Sequence, residues 1–169
     1  MAGGGGGVRA GLRLDAIDLR ILAALERDGR ITKLALSEQV ALSPSACLER
    51  IKRLEGAGVI RGYHAEVDPA RIAPVTTAFV EIELKRHEAA DFDRFEKKIA
   101  EVPEVMEVHA IGGGMDYLVR VVSRGIDDYQ ALIDRLLAED IGIGRYFTYF
   151  VTKPVFRRHG HPLERLLGG

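Results

Sequence analysis

Two short stretches hold side chains whose chemistry is directed at something other than the chain itself. The first, "LSPSACLERIKRLEGAGVIRGY" over residues 42–63, places Ser43 and Ser45 ahead of Arg50, Lys52 and Arg53, with Arg61 beyond them. Hydroxyls and a helix N-terminus suit phosphate oxygens, while arginine pairs with phosphate or with the edge of guanine. Ser43, Ser45, Arg50 and Arg53 are therefore candidate DNA contacts, and Lys33 and Arg61 can add contacts to the backbone from the flanks. The net charge of the chain is only −1, so the basic surplus here is local. A charged outer face is also what any amphipathic helix shows, and this helix alone leaves both readings open.

The second stretch is "GGGMDY". Backbone N–H groups at Gly112, Gly113 and Gly114 can approach a ligand closely and together suit a carboxylate, and Asp116 suits an ammonium. Such a loop matches the two ends common to amino acids, leaving Met115, Tyr117 and Thr148 to select the side chain. The same residues also read as a permissive hairpin turn with Asp116 opening the next strand. Other chemistry is thin. Cys47 falls on an apolar helical stripe and reads as a core residue. His159 and His161 in "RRHGHP" lack an acidic or thiol companion and read as polar residues of a C-terminal tail, 156–169. No paired acids, nucleophile elbow, phosphate loop or metal cluster stands out, so neither an enzyme nor a resident cofactor is expected.

The elements that must position these residues differ between two parts of the chain. From residue 14 to 67 the apolar spacing is helical. Asp15 caps a first helix carrying Ile17, Ile21, Leu22 and Leu25; Thr32 caps a short second one with Leu36 and Val40. Ser43 caps a third, with Pro44 at its first position and Cys47, Leu48, Ile51 and Leu54 on its apolar stripe. "VIRGYHAEV" can add a hairpin or wing. These are the parts of a helix-turn-helix, whose last helix enters the DNA major groove. Residues 68–75, with Pro69 and Pro74, form a linker. Residues 76–155 read strand, helix, strand, strand, helix, strand: Ala78, Val80, Ile82 and Leu84 alternate with polar residues, and Phe92, Phe95 and Ile99 repeat at helical spacing. Two βαβ units in tandem make an α+β, ferredoxin-like βαββαβ sandwich with helices on one sheet face. Phe79, Tyr146, Phe147, Tyr149 and Phe150 exceed what one small core needs, which points to a second copy covering the open face.

Composition sets the outer bounds. The 169 residues are 47% apolar and 29% charged, as in a soluble globular protein, and one cysteine permits no internal disulfide. Residues 1–13, "MAGGGGGVRAGLR", read as a flexible glycine-rich leader without the apolar run of a signal peptide, and a cytoplasmic location with no membrane contact is expected.

"LDAIDLRILAALERDGRIT", "LSPSACLERIKRLEGAGVIRGYHAEVDP" and "GGGMDYLVRV" resemble the Lrp/AsnC, or feast/famine, transcription regulators of bacteria and archaea. The resemblance runs from about Leu14 to Val155. It implies a winged helix-turn-helix followed by a ferredoxin-like RAM effector domain that dimerises and often assembles into octamers. The implied partners are double-stranded DNA, further copies of the chain, and an amino acid or related metabolite that shifts assembly or DNA affinity. The alternatives are an architectural protein that compacts DNA with little sequence preference and, less favoured, an enzyme that uses the ferredoxin-like half for catalysis. Three positions depart from the family pattern. Ala46 stands where a second proline is usual, Ala41 where glycine commonly precedes the turn leucine, and the effector loop lacks the first acid of Gly-Asp-x-Asp-Tyr.

Overall fold

The computed structural model describes residues 12–158 and 160–166, apart from the Glu164 side chain. The chain divides into two units. Residues 67–155 form one, and the segments before and after them together form the other.

The first unit is helical, and its first three helices start at the caps that their sequence dictates. Helix α1 (Ala16–Arg27) begins at Asp15, whose side chain accepts from the N–H groups of Ile17 and Asp18, and Asp18 returns the bond to the Asp15 N–H at 3.0 Å. This reciprocal box satisfies donors that the first turn leaves without helical partners. Thr32 caps α2 (Lys33–Val40) and Ser43 caps α3 (Pro44–Gly56), each accepting from the N–H three residues on. Between α2 and α3, Ala41 adopts a left-handed conformation, φ 56° and ψ 47°. That conformation crowds Cβ and ordinarily falls to glycine. Ile21, Leu22, Ala24, Leu36, Val40, Cys47 and Leu54 make the core.

Three expectations change here. The segment 61–68 forms no strand, so the hairpin is not built; among the described residues of this unit there is no sheet for it to join. The tail is not a free end either. The Glu26 carboxylate accepts the His161 backbone N–H at 3.1 and 3.2 Å and lies 2.8 Å from its Nδ1, and Leu163, on the short helix α6 (Leu163–Leu166), packs against the helical core. Residues 1–11 and His159 lie outside the described residues. Leu12, expected in the leader, packs against that same core.

The second unit is a four-stranded antiparallel sheet in the order β2-β3-β1-β4. Its elements are β1 (Thr76–Leu84), α4 (Ala89–Ile99), β2 (Val105–Ala110), β3 (Tyr117–Ser123), α5 (Ile126–Ala138) and β4 (Ile143–Phe150). Central β1 pairs Val80 with Val119 of β3 on one side and with Thr148 of β4 on the other. Alternation along β1 buries Ala78, Val80, Ile82 and Leu84. They pack with Phe95 and Ile99 of α4, Val119 and Val121 of β3, and Tyr129, Leu132, Ile133 and Leu136 of α5. Both helices therefore cover the same sheet face, the ferredoxin-like arrangement that the strand and helix periods require. The register slips between Glu83 and Leu84. Gly144 lies opposite, where a Cβ would come within 3.0 Å of the Lys85 backbone nitrogen.

Candidate DNA interface and effector loop

Helix α3 is held by its apolar stripe and by charge. Arg50 Nη1 reaches Asp15 Oδ2 at 2.7 Å and Asp18 Oδ1 at 2.8 Å, and Arg53 Nη2 reaches Asp18 Oδ2 at 2.5 Å. Asp18 is fully buried, while Arg50 keeps about a quarter of its side chain exposed (27%). Burial pushes the Asp18 carboxyl up, but the Asp15 N–H and the two guanidinium groups outweigh it and hold the acid below its ordinary range. Asp15 is also lowered, by the Asp18 N–H and then Arg50. The cluster joins the start of α1 to the middle of α3 and commits Arg50 within the unit. Arg50, expected at DNA, is also a clamp whose Nη1 faces two carboxylates.

The outward surface of α3 is set by helical phase. Ser45, Glu49 and Lys52 fall within a sector of about 60° at 100° per residue, and all three are exposed. Arg53 lies at the edge of that sector and remains partly exposed. Ser43 is occupied as the cap, and its hydroxyl lies 3.1 Å from that of Ser45. Lys33 and Arg61 are exposed on the flanks. Glu49 and Lys52, not among the expected contacts, share that exposed sector with Ser45. A signal was present: Asp15 and Asp18 stand three residues apart, as do Arg50 and Arg53, which is matched spacing for two helices clasping through charge. Cys47 is buried, its thiol pushed up by burial against a smaller lowering effect of Arg50, which fits a core side chain.

The glycine loop joins β2 to β3 and is anchored at its far end. Asp116 Oδ2 accepts the Leu84 N–H at 2.7 Å and lies 3.0 Å from His87 Nε2; the Asp116 N–H donates to the Ile82 carbonyl. Gly113 has φ 144°, which a side chain would resist, and Gly112 and Gly114 border open space. Asp116 is thus first a staple holding the loop against the end of β1. Tyr117 and Thr148 do not join the loop. Tyr117 is buried over Phe95, with ring centroids 4.6 Å apart, and donates to Glu96; burial and that carboxylate push its hydroxyl far up. Thr148 bonds Tyr129 on the helix side of the sheet. Alternation explains both: the core-facing set of β3 runs Tyr117, Val119, Val121, and that of β4 includes Tyr146 and Thr148. Gly112–Asp116 therefore stay together, and of the three expected side-chain selectors Tyr117 and Thr148 turn inward while Met115 stays in the loop.

The family model for winged helix-turn-helix DNA-binding matches residues 14–61, and that for the Lrp/AsnC ligand binding domain matches residues 77–160. The transcriptional regulatory protein DoeX of Halomonas elongata is 53% identical over 146 residues, which span 86% of this chain and 92% of that protein. The chain belongs to the Lrp/AsnC family. The leucine-responsive regulatory protein of Escherichia coli is 37% identical over 87% of this chain and 90% of its own. Among solved structures, a transcriptional regulator of Neisseria meningitidis in complex with L-Met superposes with a TM-score of 0.85 at 32% identity, covering 91% of this chain and 99% of that one. An AsnC family regulator from Agrobacterium tumefaciens gives the same TM-score at 33% identity, covering 90% and 99%.

As an Lrp/AsnC regulator, the protein carries its ligand-binding domain on a sheet whose second face bears neither α4 nor α5. Phe79, Phe147 and Tyr149 stand exposed there. Arg120 ties to Glu107 at 2.8 Å, and Tyr149 donates to Glu81. Tyr146 and Phe150, expected on this face, point the other way: Phe150 meets Tyr129 edge-on at 5.1 Å and Tyr146 packs on the core. The apolar part of the open face is accordingly smaller than the aromatic count of β4 implied. No helix of the described residues is long and apolar enough to cross a membrane.

Proposed function

We propose that this Lrp/AsnC regulator reads duplex DNA with the Ser45, Glu49 and Lys52 face of α3, and that an amino acid or related metabolite at the Gly112–Asp116 loop shifts its assembly or DNA affinity. The observation that carries the reading is the division of labour on α3. Arg50 and Arg53 fasten the helix to α1 through Asp18, and the sector of Ser45, Glu49 and Lys52 stands exposed. Lys33, Arg61 and the exposed part of Arg53 are suited to phosphate, which positions the helix without specifying sequence.

The amino-acid class is supported by the L-Met complex of the Neisseria relative and by a loop whose three glycines are exposed and border open space. A second copy on the open sheet face, over Phe79, Phe147 and Tyr149, makes the two-fold reader. Its two α3 helices fit half-sites about 34–36 Å apart, or a multiple of that. Coupling is then linkage: the ligand changes DNA affinity only by as much as it prefers one arrangement over another.

The deciding experiment is a fluorescence-anisotropy titration against DNA from upstream of its own gene and against scrambled DNA, at fixed salt, with and without a pool of amino acids. Preference for the cognate DNA that moves with the pool is the expected result. Equal binding to both DNAs, indifferent to the pool, would replace this reading with DNA compaction.

A further inference from the structure

Glu49 is an unexpected residue to find on a surface turned toward a polyanion. It is exposed, one turn from Ser45 and three residues from Lys52 on the outward sector of α3. A glutamate four residues before an arginine ordinarily pairs with it along the helix. Here Arg53 is drawn away to Asp18 instead, and no hydrogen bond or ion pair reaches Glu49 from the described residues. With Arg53 drawn to Asp18, the outward sector keeps a free carboxylate beside a free ammonium.

A carboxylate has only acceptors to offer. Phosphates repel it, and in the major groove guanine N7 and O6 and thymine O4 are acceptors too. Adenine has an amino donor, but its N7 acceptor lies beside it. Cytosine N4 is the donor without an adjacent acceptor on its own base, and carboxylates accept from it. We propose that Glu49 is a specificity-determining residue that selects cytosine at one position of each half-site, with the Lys52 ammonium donating to guanine O6 or N7 close by. The inference rests on α3 being the reading helix.

The test is selection of bound duplexes from a random library by the full-length protein, by Glu49→Gln and by Glu49→Ala, followed by titrations on the enriched sites. The wild type should enrich a site with a C·G pair at a fixed position and lose about tenfold when that pair is replaced. Glu49→Gln, whose amide can pair with adenine N6 and N7, should move that position toward A·T. Glu49→Ala should relax it and bind all duplexes somewhat more tightly, because a negative charge has been removed. If both variants enrich the wild-type site with the C·G preference intact, Glu49 is a solvated surface charge and the proposal fails while the reading helix stands. If the wild type enriches no site, sequence-specific reading itself fails.

Discussion

The Arg50 guanidinium sits 2.8 Å from the fully buried carboxylate of Asp18, across 32 residues of sequence. The residue expected to touch DNA fastens α1 to α3. Arg50→Ala should therefore lower the melting temperature, and at temperatures well below the melt it should leave the salt dependence of DNA binding unchanged. Lys52→Ala should do the reverse, leaving the melt in place and reducing the salt slope by about one. A normal melt with a shallower salt slope in Arg50→Ala would return Arg50 to the interface.

The same cluster makes the helical unit sensitive to acid. Asp18 and Asp15 both have folded-state pKa values below the ordinary 3.8. A depressed carboxylate contributes stability that is present above its unfolded value and is lost as pH falls through the folded one. The urea midpoint of the full chain should fall as pH drops below about 4, and Asp18→Asn should show a smaller fall from a lower starting point. Equal pH dependence in the two proteins would refute a special role for Asp18.

Ala41 is held at φ 56° between α2 and α3. Relief of its Cβ crowding exceeds the extra chain entropy that glycine brings to the unfolded state, so Ala41→Gly should stabilise by about 1 kcal/mol. Chemical denaturation with an unchanged slope would measure it. A destabilised variant would mean that the turn depends on the alanine methyl.

On the open sheet face, Phe147→Lys places a charge among Phe79 and Tyr149. Sedimentation should show a smaller assembly with unchanged secondary structure. The same particle size as wild type would place the interface elsewhere.

Asp116→Ala removes the acceptor for the Leu84 N–H and frees the end of the glycine loop. Loss of that bond should cost about 1–3 kcal/mol, seen as an earlier thermal transition, and the response of DNA binding to the amino-acid pool should weaken. A full response at the same ligand concentration would take Asp116 out of the effector site.

The elements were legible because local rules govern them. Asp15, Thr32 and Ser43 cap the helices as their types require, and Ala78, Val80, Ile82 and Leu84 alternate into the core. Partners distant in sequence were harder to read. Helical phase could turn Arg50 toward the flank of α3, but only packing reveals that Asp18 waits there. Tyr117 follows the loop in sequence, which suggested a share in the effector site, but strand parity sends its side chain inward. The docking of Leu163 onto the helical core joins residues too far apart for any periodicity to connect.

That docking bears on how the protein is made. The DNA-binding unit is assembled from the chain on both sides of residues 67–155, with Glu26 holding His161. During synthesis the three helices emerge early, but the piece that closes their core leaves the ribosome only after the entire sheet domain. Because domains fold as units during translation, the part of this regulator that meets DNA is begun first and completed after the part that meets the ligand.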